Sequence, residues 1–160
     1  MTSITLICIG KMKEKHYIAA AEEYIKRLGA WCRVEVCELP EVRLPEAPSD
    51  AQREAAMKRE AAAITAKIPR GAAVIAMCVE GNELDSVRFS GEVQRLAVAG
   101  GSKLCFIIGG SYGLHDSVKA EAGLRLSLSK MTFPHHLARV MLLEQLYRSF
   151  QIAEGGKYHK

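Results

Sequence analysis

Short apolar runs rich in β-branched residues alternate along this chain with segments of helical periodicity, and that alternation leaves few folds open. Ile4–Ile9 is an almost wholly apolar run closed by Gly10, the pattern of a strand covered on both faces. Ile18, Ala21, Ile25 and Leu28 then recur at helical spacing, with Gly29 as a stop signal. A second strand is expected over Val34–Leu39, ended by Pro40, and residues 41–48, with two prolines, read as a loop. Ser49 and Gln52 form a capping-box pattern. It stands before a helix whose Met57, Ala61, Ile64 and Ile68 share a face and whose Glu54 and Lys58 are spaced to pair. Ala72–Val79 is expected as a third strand and Ser90 as the cap of a short helix through Val98. Leu104–Ile108 is expected as a fourth strand, 116–122 as a helical turn or two, and Leu124–Leu128 as a fifth strand. Pro134 suits the first turn of a last helix that runs to about Ala153. The alternation predicts an α/β fold, a mainly parallel sheet flanked by helices.

Composition narrows the class. Apolar residues make up 49% of the 160 and charged residues 25%, the balance of a globular chain and not of a disordered one. The longest apolar run, Ala72–Val79, is far short of the ~20 residues that a membrane-spanning helix needs. The first residues lack a basic region followed by an apolar stretch, so no signal peptide and a cytoplasmic location are expected. The five cysteines form no Cys-x-x-Cys pair and read as small core residues. His135 and His136 are adjacent with no third ligand in view, so no metal is expected. From Arg125 to Lys160 there are six basic residues against two acids, and the rest of the chain is balanced; this local excess suits contact with phosphates or a solvated helix face.

Four blocks carry the chemistry. Ile107-Ile108-Gly109-Gly110-Ser111-Tyr112-Gly113-Leu114 is a glycine-rich loop directly after a strand, where ligands of α/β sheets bind. No Gly-Lys-Ser/Thr follows, so it is not a P-loop, and it lies too late in the chain for the dinucleotide fingerprint. The second block runs from Leu126 to His136, the third is Arg139 with 143–148, and the fourth is the tail Lys157-Tyr158-His159-Lys160. The last helix carries Leu137, Val140, Met141, Leu142, Leu143, Leu146, Tyr147 and Phe150, more than one face holds, which predicts burial on two sides or a homodimer interface.

On these blocks, and over nearly its whole length, the chain resembles the RlmH family of the SPOUT superfamily. The resemblance implies one SPOUT domain over residues 1–160, with a trefoil knot in about 73–160, and an obligate homodimer. It implies S-adenosyl-L-methionine as cofactor, held by Met77, Gly109 and the segment Leu128, Ser129, Lys130, Met131, Thr132 and Phe133. It further implies methylation of N3 of a pseudouridine in the helix 69 loop of 23S rRNA on the assembled ribosome. The family often has proline where this chain has Lys157. Methyl transfer to a ring nitrogen needs alignment and an exit for its proton. Candidates for substrate positioning or proton removal are His135, Arg139, Tyr158 and His159. Two other readings stay open, a non-catalytic RNA- or ribosome-binding module on the same fold and a flavodoxin-like small-molecule binder.

Overall fold

β1 (Thr2–Ile9) is buried along its last six residues, as a strand with helices on both sides must be. It lies inside the sheet, with β2 (Cys32–Leu39) on one flank and β4 (Lys103–Ile108) on the other. The computed structural model describes residues 1–160. The five strands run in the order β2-β1-β4-β3-β5, with β3 (Ala73–Glu83) and β5 (Leu124–Ser127) completing the sheet. All four ladders are parallel.

Alternation along the strands divides the core in two. Ile4, Leu6, Cys8, Leu104, Phe106 and Ile108 face one side. There they meet α1 (Lys15–Leu28), α3 (Ser86–Ala99) and α5 (His135–Ala153), with α5 packed against both α1 and α3. Ile7, Ile9, Cys105 and Ile107 face the other side, under α2 (Asp50–Thr65) and α4 (Asp116–Glu121).

Local signals set most boundaries. The Ser49–Gln52 capping box is present with both of its bonds. α3 starts earlier than Ser90, because Asp85 caps it by accepting from the Arg88 N–H at 2.8 Å. Ser90 is instead buried and donates to the Ser149 carbonyl of α5 at 2.6 Å. Glu54 is drawn away from Lys58 to His115, 2.6 Å away at the start of α4. No helix is long and apolar enough to cross a membrane.

The last helix is less symmetric than its sequence suggests. Leu142, Leu143, Leu146 and Phe150 are buried within the chain, whereas Leu137, Val140, Met141 and Tyr147 form a half-buried outer stripe. Substitution at Leu143 or Leu146 therefore tests this chain's own core, and Met141 is the cleaner probe of association.

Candidate active site

β3 runs on past Val79, where an uninterrupted apolar pattern ends, and it does so by a detour. Met77 pairs with Leu126 of β5, and so does Asn82, so residues 78–81 are looped out of the ladder. Glycine closes this bulge: a Cβ on Gly81 would lie 2.8 Å from the Arg125 backbone. Cys78, Val79 and Glu80, on the bulge, form one wall of a cavity of about 660 Å³. The glycine loop 109–113 after β4 forms a second wall, and residues 127–129 with 131–135 form the third. The site thus lies where three neighbouring strands end, as ligand sites of parallel sheets do.

The glycine loop is held shut from within and from behind. A Cβ on Gly109 would meet the Gly113 carbonyl group at 2.6 Å, so glycine is required there by the loop's own closure. Bulkier residues at 109 would reshape the loop before they met any ligand. Behind it, Glu41 accepts from the Ser111 N–H at 3.1 Å and from its hydroxyl at 2.9 Å. Glu60, buried on α2, accepts from the Val42 N–H at 3.0 Å beside Glu41, and burial raises its pKa.

Met77, Gly109, Leu128, Ser129, Met131, Thr132 and Phe133 all line the cavity, as does His135. The Lys130 side chain does not: it is exposed and lies outside the wall, because the chain turns through Ser129 and Met131. Of the amide N–H groups from Leu128 to Phe133, only that of Met131 has a partner in the chain, the Ser129 hydroxyl at 3.0 Å. The others are free donors beside the apolar side chains of Met77, Leu114, Leu126 and Phe133. Free backbone donors next to apolar walls can orient a flat heteroaromatic ring. Three of the six exposed large apolar side chains of the whole chain, Val79, Tyr112 and Met131, also lie here, which marks the mouth as a contact surface. Opposite charge within the wall is paired, Lys119 bonding Glu80 and holding its carboxyl below the usual range.

His135 sits at the start of α5, its ring edge-on to His136 at 4.3 Å. It joins none of the side-chain bonds that hold its neighbours. Burial, with His136 and Arg139 beside it, pushes its imidazole below the ordinary value, so at neutral pH it is uncharged and able to accept a proton. Its neighbours are tied down. His136 Nδ1 lies 2.7 Å from Glu14, and its Nε2 is buried without a partner. Arg139, only 4% exposed, donates to Glu38 at 2.8 Å and to the Gly10 carbonyl at 3.2 Å. Arg139 is outside the cavity wall and does not pair with Glu144.

A family model described as predicted SPOUT methyltransferase matches residues 2–159. The chain belongs to the SPOUT methyltransferase family. It is 46% identical over 158 residues to the Ribosomal RNA large subunit methyltransferase H of Clostridium beijerinckii, and 42% identical to that of Listeria monocytogenes. Each match covers 99% of both chains. Among solved structures, a probable methylase family protein of Haemophilus influenzae superposes with a TM-score of 0.55 at 15% identity, over 98% of this chain and 70% of that one.

In this SPOUT methyltransferase the tail lies away from the cavity of its own chain. The Tyr158 hydroxyl donates to Glu144 at 3.1 Å, and its ring lies 4.7 Å from the Arg148 guanidinium. His159 Nδ1 is 3.2 Å from Arg148. At a rise of 1.5 Å per residue, Glu144 and Arg148 lie roughly 14–20 Å along α5 from His135. Burial and the neighbouring Tyr24 and Glu144 side chains push the Tyr158 phenol up to about 12, so Tyr158 is a hydrogen-bond donor and not a base. Of the four candidate catalytic residues, then, only His135 reaches the cavity of the same subunit. Glu38, Glu41 and the β3 bulge carry no sequence signature. No group of three or more His, Cys, Asp or Glu side chains is placed to hold a metal ion.

Proposed function

We propose that this chain methylates 23S ribosomal RNA with S-adenosylmethionine, and that its target is N3 of a pseudouridine in the helix 69 loop of the assembled ribosome. The observation that carries the reading is the cavity with its free backbone donors and with His135 in its wall. Full-length likeness to large-subunit rRNA methyltransferases supports the substrate class. Adenine fits the space between the glycine loop and residues 128–133, with Met77 and Phe133 as apolar walls. The donor supplies a methyl group on a sulfonium, so no acid is needed at the leaving group. His135 accepts the ring proton from the base, directly or through one water. Arg139 acts one step back, fixing the first turn of α5 against the Gly10 turn.

The active form is a homodimer in the cytoplasm. The apolar outer stripe of α5 supports this, together with a second groove of about 620 Å³ beside Val140 and Met141. A tail that cannot reach its own cavity acts in that of its partner, with Tyr158 and His159 on the substrate side. Met141→Glu should then shift the protein toward monomer in light scattering and lower activity at equal cofactor occupancy. Mass spectrometry of 23S rRNA from a strain lacking the gene, with and without its restoration, tests the function. Loss and return of one methyl group on the helix 69 fragment is expected; an unchanged methyl complement overturns the reading.

A further inference from the structure

The turn between β1 and α1 brings charge to the mouth of the cavity that the sequence alone does not place there. Gly10, in a left-handed conformation at φ +94, swings the chain beside His135: an ideal Cβ on Gly10 would stand 3.5 Å from His135 Nε2. From there residues alternate in and out. Met12 is buried in the core and its N–H donates to Glu38 at 2.8 Å. Lys11, Lys13 and Lys15 are exposed.

The acids nearest this turn already have partners elsewhere. Glu14 is engaged with His136, Glu38 with Arg139, and Glu41 with Ser111. None of the three lysines has a carboxylate within ion-pair distance. α1 also opens on Lys15 with no acidic residue in its first turn, the opposite of what the helix dipole favours. Lys130, exposed between two wall residues, adds a fourth cation near the mouth. The turn is therefore a rigid cationic rim beside the candidate base.

We infer that the Lys11-Lys13-Lys15 turn is the surface on which the phosphate backbone of the RNA substrate docks, next to the nucleotide that enters the cavity. This rests on the rRNA reading above and assigns it a surface. Cations at about every second residue on a fixed backbone meet successive phosphates without reading sequence, so they supply affinity and register while the cavity selects the base.

The test is the variant Lys11→Gln/Lys13→Gln/Lys15→Gln against the control Lys67→Gln/Arg70→Gln. The control removes exposed cations just before β3, at the opposite end of the strands. Binding of assembled ribosomes is titrated over a range of salt, alongside cofactor calorimetry and steady-state methylation. The triple variant should flatten the log–log salt slope by about 2 to 3 and weaken ribosome binding about tenfold or more at moderate salt. Its kinetic loss should fall on KM for ribosomes, with cofactor affinity as in wild type and in the control. An unchanged affinity and slope overturns the proposal. Weaker binding with an unchanged slope also overturns it, because a ribosomal protein and not phosphate would then be the contact. If the wild-type protein binds ribosomes yet transfers no methyl group to them, the function reading fails, while the salt slope still decides the surface.

Discussion

Two arginines on α5 hold charge in opposite ways. Arg139 is buried and reaches across 101 residues of sequence to Glu38 and across 129 to the Gly10 carbonyl. Arg148 is 24% exposed at its side chain and pairs with Glu144 one turn away, with the tail residues Tyr158 and His159 laid over it. The first set of bonds joins α5 to the ends of β1 and β2 and so belongs to the fold. The second is local to one helix and holds a segment that the core does not need. One helix thus has a fixed end beside the cavity and an end that carries the tail, which in the proposed dimer is exchangeable.

The sharpest way to break this contrast is to remove each arginine. Arg139→Met leaves the half-buried Glu38 without its cation and the Gly10 carbonyl without a donor, and should cost about 3 kcal/mol of unfolding free energy. Arg148→Met removes an i,i+4 pair near solvent and should cost less than about 1 kcal/mol. Urea unfolding with the same slope for both variants measures this; equal losses would erase the distinction.

Next in size is deletion of residues 157–160. It should leave cofactor affinity unchanged and stability within about 0.5 kcal/mol of wild type. Turnover on ribosomes should fall about a hundredfold, near 2.7 kcal/mol of barrier. Full turnover would leave the exchangeable end without a role. Lost cofactor binding would move the tail to the wrong side of the reaction.

The smallest effect is on pH dependence, and it belongs to the fixed end. Arg139 and the Met12 N–H hold the Glu38 carboxyl below its ordinary value despite partial burial. Its contribution is thus complete above the unfolded value of about 4.3 and is lost as pH falls through the folded one. His135 is also held low, so the unfolded chain takes up that proton first, and stability declines as pH drops below about 6.5. Thermal melts should fall in two steps on acidification. His135→Gln should flatten the upper step and Glu38→Gln the lower one, whereas Arg148→Met should change neither.

What the sequence reveals depends on how far apart the partners are. The Ser49–Gln52 cap is legible because both halves lie within one turn. The inner strands β1, β4 and the first part of β3 are legible because burial on two faces leaves an uninterrupted apolar run. Arg139 has no carboxylate at helical pairing distance along α5, and only the sheet shows that Glu38 is its partner. Ser90 and Asp85 are both good cap residues, and contact with α5 decides between them. At the site, family resemblance groups Met77, Gly109 and residues 128–133, and the cavity gathers all of these except Lys130. Glu41, Glu60 and the basic turn after β1 stay hidden, because their roles arise from the partners the fold gives each carboxylate.

The detour in β3 gives the site one further property. The strand leaves Leu126 at Met77 and meets it again at Asn82, so pairing on either side does not depend on how many residues lie between. Inserting or deleting one residue within 78–81 would resize the cavity and shift the side chains that line it. The sheet would keep its alignment, and both cores would stay as they are. A lineage can therefore adjust the fit of its ligand by small changes in chain length at this one position, a freedom that most strands in a closely packed parallel sheet lack.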